Sequence, residues 1–414
     1  MPSGNGRRPG FLTAARRLAA DDLLLWSATA FAALSLTLLA FHAAGHLGAA
    51  GLAGPPRPQL GDDLINYWSG ARFAASGRAA QAYDHDLFFR FQQTVIGHGA
   101  HFKIYGYPPP LMLLTRPLAA LPFLPALALW SAAGVALAAA LLARLVGWRL
   151  ALLASVGAPA AFLNLLSGQN GYFTAALLAG GLLLLDRRPL LSGALLGLLA
   201  VKPQMALLLP IALIAGRRWK TLAAAAASAA FVVDLSVMLY GVEPWLGFLD
   251  QMAYQRQLME LPHDDWFHRM PTVFAVLRLA GGSVAAAYAA QLVSCALAVG
   301  AVILAWRSRA AIEIKAAALA VAMFLATPYA WDYDMIVLLF AAAWLARDGR
   351  RAALSSSEKI AAAALLVLPL PMILLAILLH LQIGPLVLWP TLALLLRRAR
   401  VFEHHPAAML RSAA

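Results

Sequence analysis

Apolar runs long enough to cross a bilayer recur along this chain, from about Leu23 up to a last basic group, "RRAR", at residues 397–400. In hydrocarbon every backbone N–H and C=O must be satisfied within the protein, and a helix does this segment by segment. The chain is therefore expected to be an all-α polytopic membrane protein, with the membrane part forming the whole molecule. Composition agrees: 62% of the 414 residues are hydrophobic and 12% charged, where soluble domains carry about 25% charged residues. One integral membrane domain over 1–414 is the simplest division.

The net charge of +13 does not point to nucleic acid, because the arginines fall in short groups between apolar runs, as cytoplasmic loops do. The groups are "RRPGFLTAARR" near the start, Arg144 and Arg149, "DRRP", "GRRWK", "WRSR", "RDGRR" and "RRAR". Alternating from an inner basic tail (1–22) gives about 12 spans with both termini cytoplasmic. Two large outer loops result, 51–107 and 241–282. The first run, about Leu23 to Leu47, is too long for a signal peptide core and is expected to be retained. Several spans fall short of the roughly 20 residues needed, a mark of broken helices lining an enclosed cavity. The single cysteine, Cys295, excludes an intramolecular disulfide and a thiolate metal cluster.

The less basic polar motifs all fall on the outer side of this alternation. "DDLINYWSGARFAASG" begins with Asp62 and Asp63 and spaces Leu64, Tyr67, Trp68, Ala71 and Phe73 as an amphipathic helix on the membrane surface would. "HDLFFRFQQTVIG" is expected to be a second interfacial helix. "YGYPPP" blocks a regular helix and turns the chain back towards the membrane with "LMLLTRPLAALP". Asp62 and Asp63 are either helix-capping loop charges or, at the mouth of a membrane cavity, a general base for a hydroxyl. Lys202 in "VKPQ" either snorkels from a helix end or neutralises a phosphate. Gln169 and Asn170 in "SGQNG" form a turn between spans or bind a sugar. Asp332 and Asp334 in "PYAWDYD" suit helix capping, although Asp334 stands next to an apolar run where charge is costly. "HDDWFH" at 263–268 has metal-ligating residue types without a tight ligand spacing, so no metal is expected. There is no nucleotide-binding glycine loop, HExxH or GxSxG.

The ordered set "DDLINYWSGARFAASGRAAQAYD", "YGYPPPLMLLTRPLAALP", "SGQNGYFTAALLAGGLLLLDRRPLLSGALLGLLAVKPQ" and "ATPYAWDYDMIVLL" resembles glycosyltransferase family 87, which includes polyprenyl-phosphate-mannose-dependent α-1,2-mannosyltransferases. The resemblance runs from about Asp62 to about Leu345. It implies a GT-C-type helical bundle with a catalytic carboxylate in the first outer loop. The family's aspartate stands four residues before an aromatic, which selects Asp63 ahead of Tyr67 and keeps Asp62 in reserve. Lys202, which lies in a matched motif, together with one of Arg256 or Arg269 from the second outer loop as a further cation, is the candidate for holding the donor phosphate. Tyr107, Gln169, Asn170, Gln204 and Asp334 would contact substrate or order the loops. The donor would be a polyprenyl-phosphate sugar and the acceptor a lipid or glycan, with no cofactor. The enzyme would sit in a bacterial cytoplasmic membrane with its active site outward. One position departs from the family pattern: Trp331 stands where a histidine often precedes the aspartate, so that the role of that histidine is either missing here or supplied from elsewhere, by His263 or His268.

Two other readings compete. A transporter or flippase of a lipid-linked sugar would also be polytopic, but its ionisable residues would lie within spans, where Asp234 is the main carboxylate here, and its loops would be shorter. A noncatalytic envelope-assembly scaffold would need neither Asp63 nor Lys202.

Overall fold

The computed structural model describes residues 29, 31–40, 60–97, 103–261 and 264–404, and among them every regular element is helical. The expected tail at 1–22 and His263 lie outside these residues. Among the described residues three helices are long and apolar enough to span a membrane: Phe123–Val146, Trp219–Tyr240 and Val284–Arg307. Two bent pairs raise this to five if each pair is one span, Trp148–Gly157 with Pro159–Ser167 (57°) and Ser356–Val367 with Pro369–Leu379 (73°). Both second helices begin at a proline, whose missing N–H costs nothing in a first turn; Ala158 before Pro159 is extended, as a residue before proline prefers, whereas Leu368 before Pro369 keeps helical angles. Other apolar helices, such as Gly171–Leu184 and Pro189–Gly197, are shorter than a bilayer requires. Among the described residues length and composition thus give three to five spans and do not bear out the expected count of about 12.

Small residues let these helices pack closely. Trp219–Tyr240 lies against Pro189–Gly197 so tightly that a Cβ at Gly197 would stand 2.3 Å from the Ala225 carbonyl oxygen. Ile312–Ala326 and Ile336–Asp348 are buried along almost their whole length and form the centre of the bundle. At one end, arginines tie helix ends together. Arg398, itself buried, donates to Asp348 (2.6 Å) and Glu358 (3.1 Å), and Arg351 forks onto Glu313 (2.9 and 3.0 Å). Arg347 donates to the Arg144 carbonyl. The basic groups that mark one side of the sequence thus meet in space.

The first-loop region departs from expectation. Leu64–Ala75 is helical, but it is enclosed nearly all round, with Arg72 and Ala75 its exposed residues, so it is a core element and not a surface one. Tyr105, Phe91, Phe123 and Leu127 surround it. His85–Ile96 is amphipathic as expected, burying Phe88 and Gln92. In "YGYPPP" the third proline starts a helix instead of ending the chain's regularity: Pro110–Thr115 and a 3-10 turn at Arg116–Ala120 pack on Leu64–Ala75, and the span begins only at Phe123.

Candidate active site

The end of the bundle opposite the Arg398 network gathers the polar motifs of four separate segments. Gly61 N–H and Asp63 N–H donate to the carbonyls of Leu166 and Ser167, both at 2.8 Å. This clips the first loop onto the end of Pro159–Ser167. Gly168 then turns the chain in the left-handed region (φ 67°), where a side chain would be strained and its Cβ would meet Leu64 at 2.7 Å. Gly171 opens the next helix, and a Cβ there would lie 2.3 Å from the Tyr333 carbonyl oxygen. The glycines of "SGQNG" are thus needed for the approach of both aspartate-bearing motifs.

Asp62 and Asp63 share a single ammonium. Lys103 Nζ lies 2.7 Å from Asp62 Oδ2 and 2.9 Å from Asp63 Oδ1, and all three side chains are half-buried. Asp63 stands at the start of the helix without capping it, its side chain turned to Lys103. Burial alone would push the Asp63 carboxyl up; the Lys103 ammonium and the nearby Arg269 charge outweigh it, with a contribution from the Gln169 amide, and hold it below its ordinary value. Burial likewise opposes the charge on Lys103, and the two carboxylates more than reverse this and raise its pKa.

One turn along, the Tyr67 hydroxyl donates to Gln169 Oε1, so in its 2.9 Å contact with Tyr107 it is Tyr107 that donates. Burial raises both phenols, which remain protonated donors. Behind this layer Lys202 is 2% exposed and donates to Asp334 and to Asn170 Oδ1 (2.9 Å), with its Nζ 5.0 Å from the Tyr333 ring centre. Asp334 also accepts from the Trp331 N–H (3.2 Å). Lys202 therefore does not snorkel: its charge is spent inside the protein, on the loop that carries the late aspartates. Arg269 forks onto Asp332 through Nε (2.7 Å) and Nη2 (3.0 Å), and its guanidinium lies 5.7 and 5.9 Å from the ring centres of Trp331 and Tyr333, which stack in parallel. That fork uses two of its five N–H groups and leaves three.

The structure brings together Asp62, Asp63, Tyr107, Gln169, Asn170, Lys202, Arg269 and Asp334. It does not bring in Arg256, which is 70% exposed and pairs with Glu260 at 3.5 Å. Gln204 is partly buried in the short helix after Lys202. His268 neighbours His380, ring centres 6.1 Å apart, and none of its hydrogen bonds reaches the aspartates. Asp234 is exposed on Trp219–Tyr240, away from the cluster. Lys103 and Asp332 emerge as cluster members that the motifs did not single out for substrate or catalysis. The signal for Lys103 was slight: it is the one Lys or Arg between Arg90 and Arg116. Among the described residues no group of three or more His, Cys, Asp or Glu converges in a metal-binding arrangement.

Residues 105–328, more than half of the chain, match the family model for glycosyltransferase family 87. The chain belongs to glycosyltransferase family 87. Membership implies glycosyltransferase activity, with a sugar donor and an acceptor as its substrates. Within the matched region lie the "YGYPPP", "SGQNG" and "VKPQ" segments and Arg269, whereas Asp62, Asp63 and the Asp332–Asp334 motif flank it and join it through the contacts above. No curated protein and no solved structure matches the chain.

Proposed function

We propose that this family 87 protein transfers a glycosyl residue, mannosyl in the most specific form of the reading, from a polyprenyl-phosphate donor to a lipid or glycan acceptor on the outer face of a bacterial cytoplasmic membrane. The observation that carries it is Asp63, a half-buried carboxylate kept ionised in a cluster that also holds a guanidinium with unused N–H groups. Asp63 takes the proton of the acceptor hydroxyl as its oxygen attacks the anomeric carbon. The bond to the phosphate oxygen breaks on the opposite face, so configuration inverts. The polyprenyl phosphate leaves as an anion and needs no general acid. The free N–H groups of Arg269 stabilise the charge that develops on it. Tyr67, Tyr107, Gln169 and Asn170 set the floor of the site, and Lys202 holds the late loop in place through Asp334. Asp62 shares Lys103 with Asp63 and so tunes the base. A single domain with both termini cytoplasmic completes this reading.

The test is turnover of a set of short-chain polyprenyl-phosphate sugars in the presence of membrane lipid extract, followed by mass spectrometry. Wild type is expected to consume one donor and Asp63→Asn to do so at least roughly a hundredfold more slowly. Equal turnover by the two would remove Asp63 from the chemistry.

A further inference from the structure

A cavity of about 460 Å³ opens on the opposite flank of the same first-loop helix, outside the aspartate cluster. Trp68, Phe91 and Val95 give it an apolar floor, and Arg72, Ser76 and Arg78 supply its polar wall. No carboxylate lines it, and among the described residues neither arginine has a carboxylate partner. Both are held in place by rings: the Arg72 guanidinium lies 4.7 Å from the centre of Trp68 and that of Arg78 lies 5.1 Å from Phe73.

Local sequence explains why two cations meet here. Leu64–Ala75 ends in a Schellman turn: Arg78 N–H donates to Phe73 O (2.9 Å) and Gly77 N–H to Ala74 O (3.3 Å), with Gly77 left-handed at φ 73°. The turn folds Arg78 back over Phe73, beside the helix turn that carries Arg72. It also occupies helix-end carbonyls that would otherwise repel an anion, as does Ser76 N–H on Arg72 O. Trp68 Nε1 donates to Leu121 O, two residues before the span Phe123–Val146 begins, so the cavity lies where that span leaves the membrane. Two guanidiniums without carboxylate partners, one over Trp68 and the other over Phe73 with its Nε donating to Ser76 Oγ (3.2 Å), line an apolar floor at this depth and suit the phosphate of a lipid with its acyl chains alongside.

We infer that this cavity binds the headgroup phosphate of an anionic lipid. Its Arg72 lies about 14 Å along the helix axis from Asp63, at about 1.5 Å per residue. Use of the cavity to anchor an anionic lipid acceptor rests on the transferase reading; the binding itself does not.

Native mass spectrometry of the detergent-purified protein tests it, with dioleoylphosphatidylglycerol as probe, dioleoylphosphatidylcholine as reference and inorganic phosphate as competitor. Wild type is expected to hold at least one phosphatidylglycerol about tenfold more tightly than phosphatidylcholine. The number of tightly held molecules should fall by one in Arg72→Gln/Arg78→Gln and in Ala75→Trp, which fills the cavity from an exposed position and keeps both charges. It should stay the same in Arg256→Gln and in Asp63→Asn. An unchanged number in the double variant, or in Ala75→Trp should the double variant not fold, overturns the proposal. Displacement of the lipid by millimolar inorganic phosphate would overturn the lipid assignment. Because no turnover is measured, a negative result here is separable from failure of the transferase reading.

Discussion

Asp62 and Asp63 lean on one ammonium, so Lys103 governs how the proposed base titrates. The folded Asp63 carboxyl lies below its ordinary 3.8, which means its ionised form adds stability that is complete above that value and is lost as pH falls through the lower, folded one. Lys103→Met removes the strongest opposition to burial, and burial then pushes the carboxyl up. The acid limb of kcat/KM should move to higher pH in Lys103→Met, with the alkaline side unchanged. A pH profile on whichever donor wild type consumes decides it, and a limb that stays in place would mean that Arg269 and Gln169 suffice to hold the charge. Arg269 carries the complementary role at this scale: its fork on Asp332 fixes the guanidinium plane, and lysine in its place would keep the charge and lose that plane.

At the scale of elements, the site is a set of chain reversals held at one end of the bundle, and Gly171 is where two of them come closest. A methyl group there would stand 2.3 Å from Tyr333 O and 2.7 Å from Asn164 Oδ1. Asn164 itself donates to the Tyr333 carbonyl, so the late loop cannot retreat without breaking that bond. Gly171→Ala should cost about 1–3 kcal/mol of stability, as overpacking does. It should also lower turnover more than donor affinity, since it displaces the loop that positions Asp332. Thermal unfolding in detergent together with kcat and KM would check both parts. The same elements show what the sequence could and could not reveal. Helices, the arginine groups between apolar runs and the polar motifs were legible from local pattern and spacing. The burial of Leu64–Ala75 was not, because the covering side chains Tyr105, Phe123 and Leu127 come from 30 to 60 residues further on, and a helix with one polar face looks the same on a membrane as in a cleft. Lys103 was hidden for the same reason: its partners lie about 40 residues away. Lys202 was legible as unusual, but the two readings of it, snorkelling or phosphate contact, both missed that Asp334 takes up its charge inside the protein.

For the whole molecule, the two ends differ in kind. One carries the aspartate cluster and the arginine-lined cavity, the other the Arg398 and Arg351 ion pairs and the "GRRWK" group, where Arg218 meets Asp186 at 2.7 Å. Trp219–Tyr240 runs from the second end to the first: Lys220 is exposed near its start, and Tyr240 at its finish packs among Phe73, Tyr83 and Tyr105. Its 22 residues cover about 33 Å, the thickness of a bilayer's hydrocarbon core. The clustering of basic groups at the second end predicts, by the preference of such groups for the cytoplasmic side, that this end faces the cytoplasm. The lone native cysteine makes this measurable, since Cys295→Ser leaves a chain in which one thiol can be placed at will. Ser76→Cys, exposed beside the cavity, should react with a membrane-impermeant maleimide in intact spheroplasts, and Lys220→Cys should react only after the membrane is opened. The reverse pattern would put the aspartate cluster in the cytoplasm, where soluble nucleotide sugars are the available donors, and the polyprenyl-phosphate donor would then lose its main physical argument. Labelling of both positions from outside would mean that Trp219–Tyr240 does not cross the membrane at all.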